Sequence, residues 1–496
     1  MKVAKCFPAS SGRTSCFLIA CALLAGCVVG PDFSRPVPPS IAAYTHETLP
    51  PETVAADNEA QHFQMQQQLS AQWWHLFHSK NVDAIVTAAI MNNPTLQAAE
   101  ARLRQSQQSL RAGYGVFYPQ IDMQSSEFQQ RAAVVQQGKS SGGSVFNVAT
   151  ISGRVSYTLD IFGANRRHVE GLRAQTDYQR YVRQAAYVAL TANVVDTCIA
   201  RAAYLAELDA IDLLIAGESE QLAATAAQVR AGTQPYASLL SMRSEIATSR
   251  GTQATLRQKL NQTEHLLAQL MGKAPTQASL PDIALQDLTL PRELPVSLPS
   301  VLVRQRPDIL SSEAQLHEAS ANVGVATAAM FPSFSLTGTY GLARTSLDNL
   351  APGTGSFWSV GPVVTLPLFQ GGSLWFGRQA AREAYQASLA DYRQVVLGSF
   401  VQVADALKAL EHDAQSVAAA AEAKQAAAEA LGLLQVNYRA GLAAYPEVLV
   451  ADVQYRTALI TYVQTEAVRY QDTVTLFAAL GGGWGSETQQ NEVPSP

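Results

Sequence analysis

The chain has 496 residues, of which 35 are basic and 40 acidic, and 47% are hydrophobic. Its formal net charge of −5 argues against a nucleic-acid partner, because surfaces that bind nucleic acids are usually basic. After residue 27 there is no run of about 18 apolar residues, so the sequence predicts no membrane-spanning helix in that part. A membrane-spanning role would therefore have to come from β-strands.

The first residues follow the pattern of an export signal. Basic residues precede an apolar run over residues 16–25, which is too short to span a membrane. Residues 24–27, Leu-Ala-Gly-Cys, resemble the lipobox of bacterial lipoproteins, in which the chain is cut before the cysteine and the cysteine receives lipid. We expect a lipid on Cys27, and Val28, rather than Asp, implies sorting to the outer membrane by analogy. The alternative is an ordinary signal peptide with an incidental cysteine.

Four of the five cysteines lie at or before position 27, which leaves Cys198 alone in the rest of the chain. No intrachain disulfide is therefore expected once the signal is removed. The simplest role for Cys198 is that of a small residue packed between helices.

Two parts of the chain repeat each other about two hundred residues apart. Pro94 and Pro119 in the first part are separated by 25 positions, as are Pro307 and Pro332 in the second. Units of this length indicate two large structural halves rather than a solenoid. The sequence divides into a signal peptide (1–26), a lipid-anchored extended tether (27–72), a first repeat (73–272), a linker (273–300), a second repeat (301–482) and a C-terminal tail (483–496).

Each repeat begins with helices and continues into alternating apolar and polar residues. Trp73-Trp74 opens the first amphipathic helix, and a second helix follows Pro94. The alternating segments predict strands at about 117–128, 155–161, 334–340 and 358–368, paired as hairpins over about 117–161 and 331–369. Polar, glycine-rich tips fall at 138–144 and 352–356. Hairpins about ten residues tall match the thickness of a bilayer, although a soluble sandwich would alternate too.

A long helix without proline follows each hairpin, at about 164–230 and about 374–439. Apolar residues recur every seven positions, which indicates helices that supercoil against neighbours. Some 65 residues at about 1.5 Å each would give a helix of about 100 Å. Each ends in Arg-Ala-Gly, where Gly232 or Gly441 can take the left-handed conformation, and a shorter helix returns from Tyr236 or Tyr445.

The chain shows no sequence motif of an enzyme. No nucleophile elbow, His-Glu-x-x-His pair or dinucleotide fingerprint is present. His75 and His78 are three residues apart, but without a nearby cysteine or acidic residue a metal site is disfavoured. Lys139 lies in a sequence that lacks the spacing of a phosphate loop. We expect neither enzyme activity nor any cofactor beyond the lipid on Cys27.

Several motifs resemble the outer membrane factor family, the TolC-like channels of bacterial efflux pumps, and in particular its lipidated NodT-like subgroup. They occur in the same order as in the family, over nearly the whole mature chain. The motifs are Cys27-Val28-Val29-Gly30-Pro31-Asp32-Phe33, Trp73-Trp74, Asn93-Pro94, Arg306-Pro307-Asp308-Ile309, Thr365-Leu366-Pro367-Leu368-Phe369 and Ala479-Leu480-Gly481-Gly482-Gly483-Trp484.

The resemblance implies a mainly α fold with a β-barrel part. Each protomer would supply four transmembrane strands and long helical hairpins. A homotrimer would form a 12-stranded barrel in the outer membrane lipid, on top of a periplasmic α-helical barrel. Four strands alone would leave unpaired edges in lipid, so trimerisation is physically reasonable.

The implied function is a passive exit duct for drugs or other small toxic compounds. Its partners would be a periplasmic adaptor and an inner-membrane pump of the resistance-nodulation-division class. The exit duct of a type I protein or peptide secretion system is one alternative, and a lipid-anchored periplasmic coiled-coil scaffold is another. The sequence names no substrate, because such a duct selects mainly by width and charge.

In the family the closed end of the duct lies at the helix turns nearest the pump. The resemblance places the aperture near the second turn, where Tyr445 and Leu449 match the family pattern, and the turn tips would contact the adaptor or pump. Val450 replaces the usual aspartate, so Glu447 or Asp452 is expected to supply the acidic ring, unless both are merely solvated. The candidate residues are Tyr445, Glu447, Leu449, Val450 and Asp452 for the aperture, and Arg230, Gly232, Arg439 and Gly441 for the tips.

Overall fold

The computed structural model describes most of the chain between residues 28 and 483. The described ranges are 28–41, 43–47, 49–55, 59–67, 69–131, 145–345 and 355–483. The predictions for Cys27, for Trp484 and for most of both hairpin tips fall outside these residues. Among the described helices, none is long and apolar enough to cross a membrane.

Helices dominate the described part of the chain, with two short sheets between them. The helices are α1 (Lys80–Asn92), α2 (Pro94–Gly113), α3 (Ala164–Arg230), α4 (Tyr236–Leu270), α5 (Pro299–Gln305), α6 (Pro307–Ala328), α7 (Ser373–Arg439) and α8 (Tyr445–Ala479). The strands are β1 (His62–Met65), β2 (Gln120–Arg131), β3 (Val145–Leu159), β4 (Glu293–Val296), β5 (Ser333–Arg344) and β6 (Ser356–Thr365).

The chain divides into two compact units, and each unit takes segments from both sequence repeats. The first, here called the sheet unit, contains the described residues of Met1–Arg35, Arg104–Tyr178 and Ser312–Asp391. The second, here called the helical unit, contains those of Pro36–Leu103, Gln179–Ser311 and Tyr392–Pro496. The two repeats of the sequence therefore do not correspond to two structural domains.

The sheet unit is built on a four-stranded antiparallel sheet in the order β2-β3-β5-β6. Because side chains alternate along each strand, the register places apolar residues from all four strands on one face. Val155 pairs with Ile121 on one side and with Gly338 on the other, and Gly338 pairs with Val360. Polar residues such as Ser156 take the opposite face, so the sheet is amphipathic.

The apolar face of this sheet is exposed in the protomer. Its exposed large side chains are Ile121, Met123, Val155, Leu159, Leu336, Tyr340, Trp358, Val360 and Val364. Trp358 is 74% exposed and Val360 is 68% exposed, although apolar side chains of this size usually lie in a core. The face therefore has the chemistry of a surface that meets lipid or another apolar partner.

The strand limits differ from the predicted ones at both ends of the sheet. The first strand begins at Gln120, because Tyr114–Phe117 forms a 3-10 turn. The last strand ends at Thr365, so the apolar residues Leu366 and Leu368 follow it. Pro362 lies inside β6, and an edge strand tolerates proline because one of its sides is unpaired in the described sheet.

In the helical unit, the apolar residues that recur every seven positions along α7 are buried. Val396, Val403, Leu410 and Val417 are each no more than 3% exposed. A file of this kind packs between neighbouring helices, as expected for supercoiled helices. The prediction of a long helix after each hairpin is confirmed, since α3 and α7 have 67 residues each.

The start of the first repeat differs from the prediction. Trp73–Phe77 forms a separate 3-10 turn, which ends at His78 in a left-handed conformation (φ 52°). Helix α1 begins only at Lys80, with the Ser79 hydroxyl accepting a hydrogen bond from the Val82 amide. This turn carries Trp73 into the core beside Phe477, with ring centroids 5.5 Å apart.

The prediction that residues 27–72 form an extended tether is wrong for the later part of this segment. Strand β1 pairs in parallel with β4. Just before it, the Gln61 side chain is fully buried and donates hydrogen bonds to the Pro291 carbonyl and the Thr473 hydroxyl. The proline and glutamine content predicted an extended chain, but buried amides satisfied by distant partners make the segment part of the fold.

Candidate functional site at the helix turns

The turns between α3 and α4 and between α7 and α8 have the same backbone geometry. Gly232 has φ +72° and Gly441 has φ +73°. The Thr233 amide donates to the Gln228 carbonyl over 3.0 Å, and the Leu442 amide donates to the Asn437 carbonyl over 2.8 Å. These are the six-to-one hydrogen bonds of a Schellman helix end. Nothing lies within 4 Å of an added Cβ at either glycine, so the positive φ alone requires glycine.

Arginine occupies the last helical residue before both turns. Arg230 and Arg439 are exposed, each at the C-terminal end of a 67-residue helix. A positive charge at that end interacts favourably with the helix dipole. Both tips therefore present a cationic side chain next to a glycine turn, which suits contact with an acidic or polar partner.

The second turn lies beside an open cavity of about 490 Å³ between α3, α7 and α8. Three predicted aperture residues, Tyr445, Leu449 and Asp452, line this cavity. Glu447 and Val450 are exposed and are not among its lining residues. The structure therefore separates the predicted aperture residues into two groups.

Tyr445 connects α8 to α3. Its hydroxyl donates a hydrogen bond to the Glu220 carboxylate, with 2.7 Å between Oη and Oε2, and its ring lies 5.3 Å from the Tyr438 ring. The hydrogen bond to Glu220 raises the pKa of Tyr445, because removing the phenolic proton would place two negative charges together. Sequence reasoning missed Glu220, since no motif relates a helical glutamate to a tyrosine 225 positions later.

Asp452 is already paired within its own helix. Arg456 Nε lies 3.0 Å from Asp452 Oδ2, and both side chains are only 19% exposed. A Cβ added to Gly217 of α3 would lie 2.9 Å from the same Oδ2 atom, so the glycine leaves space for the carboxylate. Asp452 is thus a positioned, neutralised carboxylate in the protomer, whereas Glu447 is the exposed one.

The two turns differ in their polarity. The first has Thr233 and Gln234 after its glycine, whereas the second has Leu442, which is 79% exposed. Tyr236, the counterpart of Tyr445, is 58% exposed. The second turn therefore combines an exposed apolar tip with a tyrosine that is bonded to α3.

The histidine pair disfavoured as a metal site has a partner that the sequence interpretation did not foresee. His75 Nδ1 lies 2.8 Å from the Asp83 carboxylate. The prediction that no acidic residue lies near the pair is therefore wrong. The 3-10 turn brings His75 next to the first turn of α1, which carries Asp83. One histidine–carboxylate pair remains short of the three or four ligands of a zinc site.

Comparison with known proteins identifies the class. A family model described as outer membrane efflux protein matches residues 85–273 and 298–482, which include all nine aperture and tip candidates. The chain belongs to the outer membrane efflux protein family.

Two curated relatives match along nearly their whole length. The cation efflux system protein CusC of Escherichia coli K12 is 26% identical over 475 residues, covering 94% of this chain and 98% of that protein. The toluene efflux pump outer membrane protein TtgC of Pseudomonas putida is 25% identical over 478 residues, covering 96% and 97%.

Among solved structures, the open state of the MtrE outer membrane channel of Neisseria gonorrhoeae superposes with a TM-score of 0.77. It is 24% identical, and the match covers 92% of this chain and 98% of that one. This likeness shows that the two chains share a fold.

Proposed function

We propose that the chain is the outer membrane exit duct of a tripartite efflux system, active as a homotrimer. A periplasmic adaptor and an inner-membrane pump of the resistance-nodulation-division class would be its partners. The observation that carries this proposal is the four-stranded sheet with one exposed apolar face. Lipid on that face and water on the opposite face would explain the alternation of apolar and polar residues in the sheet.

The edges of the sheet support the trimer. Within the described residues, β2 and β6 each pair with a single neighbour, which leaves one edge of each strand without a partner. Unpaired backbone groups are costly in a bilayer, so spanning sheets close on themselves. Three copies of four strands give a closed barrel of twelve, and the same threefold symmetry would assemble the long helices into a periplasmic duct.

In this role the protein performs no chemical step and is not an enzyme. Passage through a water-filled duct needs no energy at the duct itself, so the inner-membrane pump drives export. The covalent lipid on Cys27 is the one added group in this proposal. The start of α8, beside the second helix turn, would be the part that closes.

The relatives' names leave the transported compound open. One is named for cations and another for toluene, although both match this chain over almost their whole length. We infer that the pump mainly selects the compound, whereas the duct excludes compounds only by their width and charge. Small toxic compounds are the proposed substrate class.

The hydrogen bond from Tyr445 to Glu220 supports a closing role for the second turn. It ties the start of α8 to α3 at the level of the cavity, next to the paired Asp452. Opening the duct at this level would require α7 and α8 to move away from α3. The bond is a single contact between exposed groups, so it suits a reversible closure.

Two neighbouring residues on β6 provide a matched test of the proposal. Val360 lies on the apolar face and Ser359 on the polar face. We expect Val360→Arg to reduce the heat-modifiable trimer in outer membranes, because a lipid-facing arginine costs about 2–4 kcal/mol near the bilayer centre. Ser359→Arg should still give trimers, with altered single-channel conductance in planar bilayers.

Other results would count against the duct. Equal tolerance of Val360→Arg and Ser359→Arg would show that the sheet does not face lipid. Wild-type protein that is purified as a trimer but gives no conductance in planar bilayers would favour the coiled-coil scaffold.

A further inference from the structure

The first described residues of the chain dock against the sheet unit. Residues 28–35, here called the N-terminal clasp, begin beside the end of β3. The Val29 amide donates to the Phe162 carbonyl over 3.1 Å, and Gly163 lies against Val28. Phe162 in turn stacks on Phe331, which precedes β5, with ring centroids 4.7 Å apart. The clasp therefore meets the end of the sheet where β3 leaves and β5 enters.

The clasp backbone approaches α6 closely at Gly30, and α6 in turn leaves space for Arg167 at Gly324. A Cβ added to Gly30 would lie 2.5 Å from the Gly324 Cα atom, and Gly30 has φ +98°. A Cβ added to Gly324 would lie 2.8 Å from the Cγ atom of Arg167. A side chain at Gly30 would collide with the α6 backbone, whereas a side chain at Gly324 would collide with the stem of Arg167.

A buried arginine of α3 binds the clasp through charge. The Arg167 side chain is 5% exposed and donates to Asp32 of the clasp over 2.6 Å and to Glu170 over 2.8 Å. A buried guanidinium is stable only when its charge is compensated and its donors are satisfied. Asp32, whose side chain is 94% exposed, supplies one of these two carboxylates, so the clasp adds a second acceptor beside Glu170.

The rest of the clasp binds α6. Phe33 stacks on the His317 ring at a centroid distance of 4.3 Å, and His317 Nε2 lies 2.9 Å from Glu170 Oε1. Arg35 Nε donates to Glu313 Oε1 over 2.6 Å. The partners of the clasp thus come from α3 of the first repeat and from α6 of the second.

We propose that the N-terminal clasp is a self-docking segment: α3 and α6 form a specific binding site, centred on Arg167 and His317, for residues 28–35 of the same chain. The docked clasp fixes the start of the mature chain beside the end of β3. This inference rests on the proposed function in one respect, since a lipid on Cys27 would then enter the membrane next to the sheet. A free tether would instead let the lipid sample a wide range of positions.

Phe33 makes the proposal measurable, because chymotrypsin cleaves after phenylalanine. The stacking of Phe33 on His317 should shield this cleavage site in the docked clasp. We expect full-length wild-type protein, purified in detergent micelles, to release the N-terminal peptide slowly, as followed by mass spectrometry. Urea-unfolded protein gives the unprotected rate. Cleavage of the folded protein measures how often the clasp opens.

Two glycine-to-alanine substitutions in helices form the matched pair. Gly324→Ala displaces the stem of Arg167, whereas Gly377→Ala in α7 meets nothing within 4 Å. We expect Gly324→Ala to speed release of the peptide about tenfold or more, because a charge-assisted contact is lost. Gly377→Ala should leave the rate unchanged. Equal rates for wild type and Gly324→Ala would overturn the proposal.

A lipid-free variant separates this proposal from the lipidation itself. Cys27→Ser, exported with a cleavable non-lipoprotein signal, should retain the slow release if the clasp docks through its own contacts. Fast release in this variant would show that the lipid, and not the site on α3 and α6, holds the segment. If the wild-type peptide carries no lipid mass, the lipid anchor fails, whereas slow cleavage at Phe33 would still support the clasp.

Discussion

The Arg306 guanidinium donates a hydrogen bond to the main-chain carbonyl of Ala479, with 2.8 Å between the two atoms. Asn93 makes the corresponding contact in the first repeat, donating to the Leu270 carbonyl over 2.9 Å. Each return helix thus ends against the side chain that precedes the proline of the shared motif. Both repeats therefore satisfy a carbonyl at the end of the return helix in the same way, with a side chain donated from the start of the repeat.

Removing the Arg306 side chain should weaken the helical unit. Arg306 is buried and also bonds to Asp308 and Gln402, so Arg306→Ala leaves the Ala479 carbonyl without its donor. We expect a loss of about 1–3 kcal/mol in the free energy of unfolding. Thermal unfolding in detergent checks this, with the exposed Arg439→Ala as control. Equal stability of the two variants would contradict the role given to Arg306.

The turn glycines should be needed for their backbone angle alone. Gly441→Ala is expected to cost about 1–2 kcal/mol, the penalty of a left-handed residue with a Cβ. Gly432→Ala in α7 also meets open space but lies within the helix, so it should stabilise by up to about 1 kcal/mol. Chemical unfolding of both variants measures the difference. The interpretation fails if the two substitutions shift stability in the same direction.

Closure at the second turn should depend on the Tyr445 hydroxyl. Tyr445→Phe removes the hydrogen bond to Glu220 and leaves the ring in place. We expect the open fraction in planar-bilayer recordings to rise roughly threefold to tenfold, as one hydrogen bond is lost. Tyr236→Phe at the first turn is the matched control. No difference between the two variants would remove Tyr445 from the closure.

The same recordings can test the acidic residues of the aperture. Asp452→Ala frees Arg456, whereas Glu447→Ala removes an exposed carboxylate. If three Glu447 side chains form an acidic ring, Glu447→Ala should reduce cation selectivity more than Asp452→Ala does. The reverse order would assign the ring to Asp452.

A proton held between two helices should make stability depend on pH. Burial, together with a hydrogen bond to Asp472, raises the pKa of Asp413 to about 7. The folded protein then binds a proton that the unfolded chain has already released at pH 5 to 6. Stability conferred by this proton should therefore fall as the pH rises from about 4 to about 7.

Asp413→Asn should abolish that part of the pH dependence, because the amide keeps a donor toward Asp472 and cannot lose a proton. We expect the variant to unfold at a higher temperature than wild type at pH 8, with a smaller difference at pH 5. Melting temperatures measured across this range provide the check. A wild-type curve parallel to that of Asp413→Asn would show that the pair does not titrate in this window.

Cys198 should be inert in the folded protein. Its side chain is fully buried, and burial raises the pKa of its thiol to about 12. The thiolate that reacts with maleimides or disulfide reagents is therefore scarce and inaccessible. We expect no labelling of native protein at pH 8 and one label per chain after unfolding. Rapid native labelling would mean that the core around Cys198 opens.

The sequence determined the elements that depend on local and periodic signals. Alternation along the strands, the absence of proline from α3 and α7, and glycine after each Arg-Ala pair are properties of neighbouring residues. They sufficed to predict the order of the elements and the position of the two turns. The resemblance of several motifs then indicated the family.

Only the tertiary structure decided which distant residues meet. It paired Tyr445 with Glu220, drew β1 into a sheet with β4, and bound Asp32 to Arg167. Such contacts join positions more than a hundred residues apart or depend on which helix face is buried, and no spacing rule encodes them. The helices and strands follow from the local sequence, whereas the contacts between distant residues at the helix turns and at the clasp arise only when the helices pack.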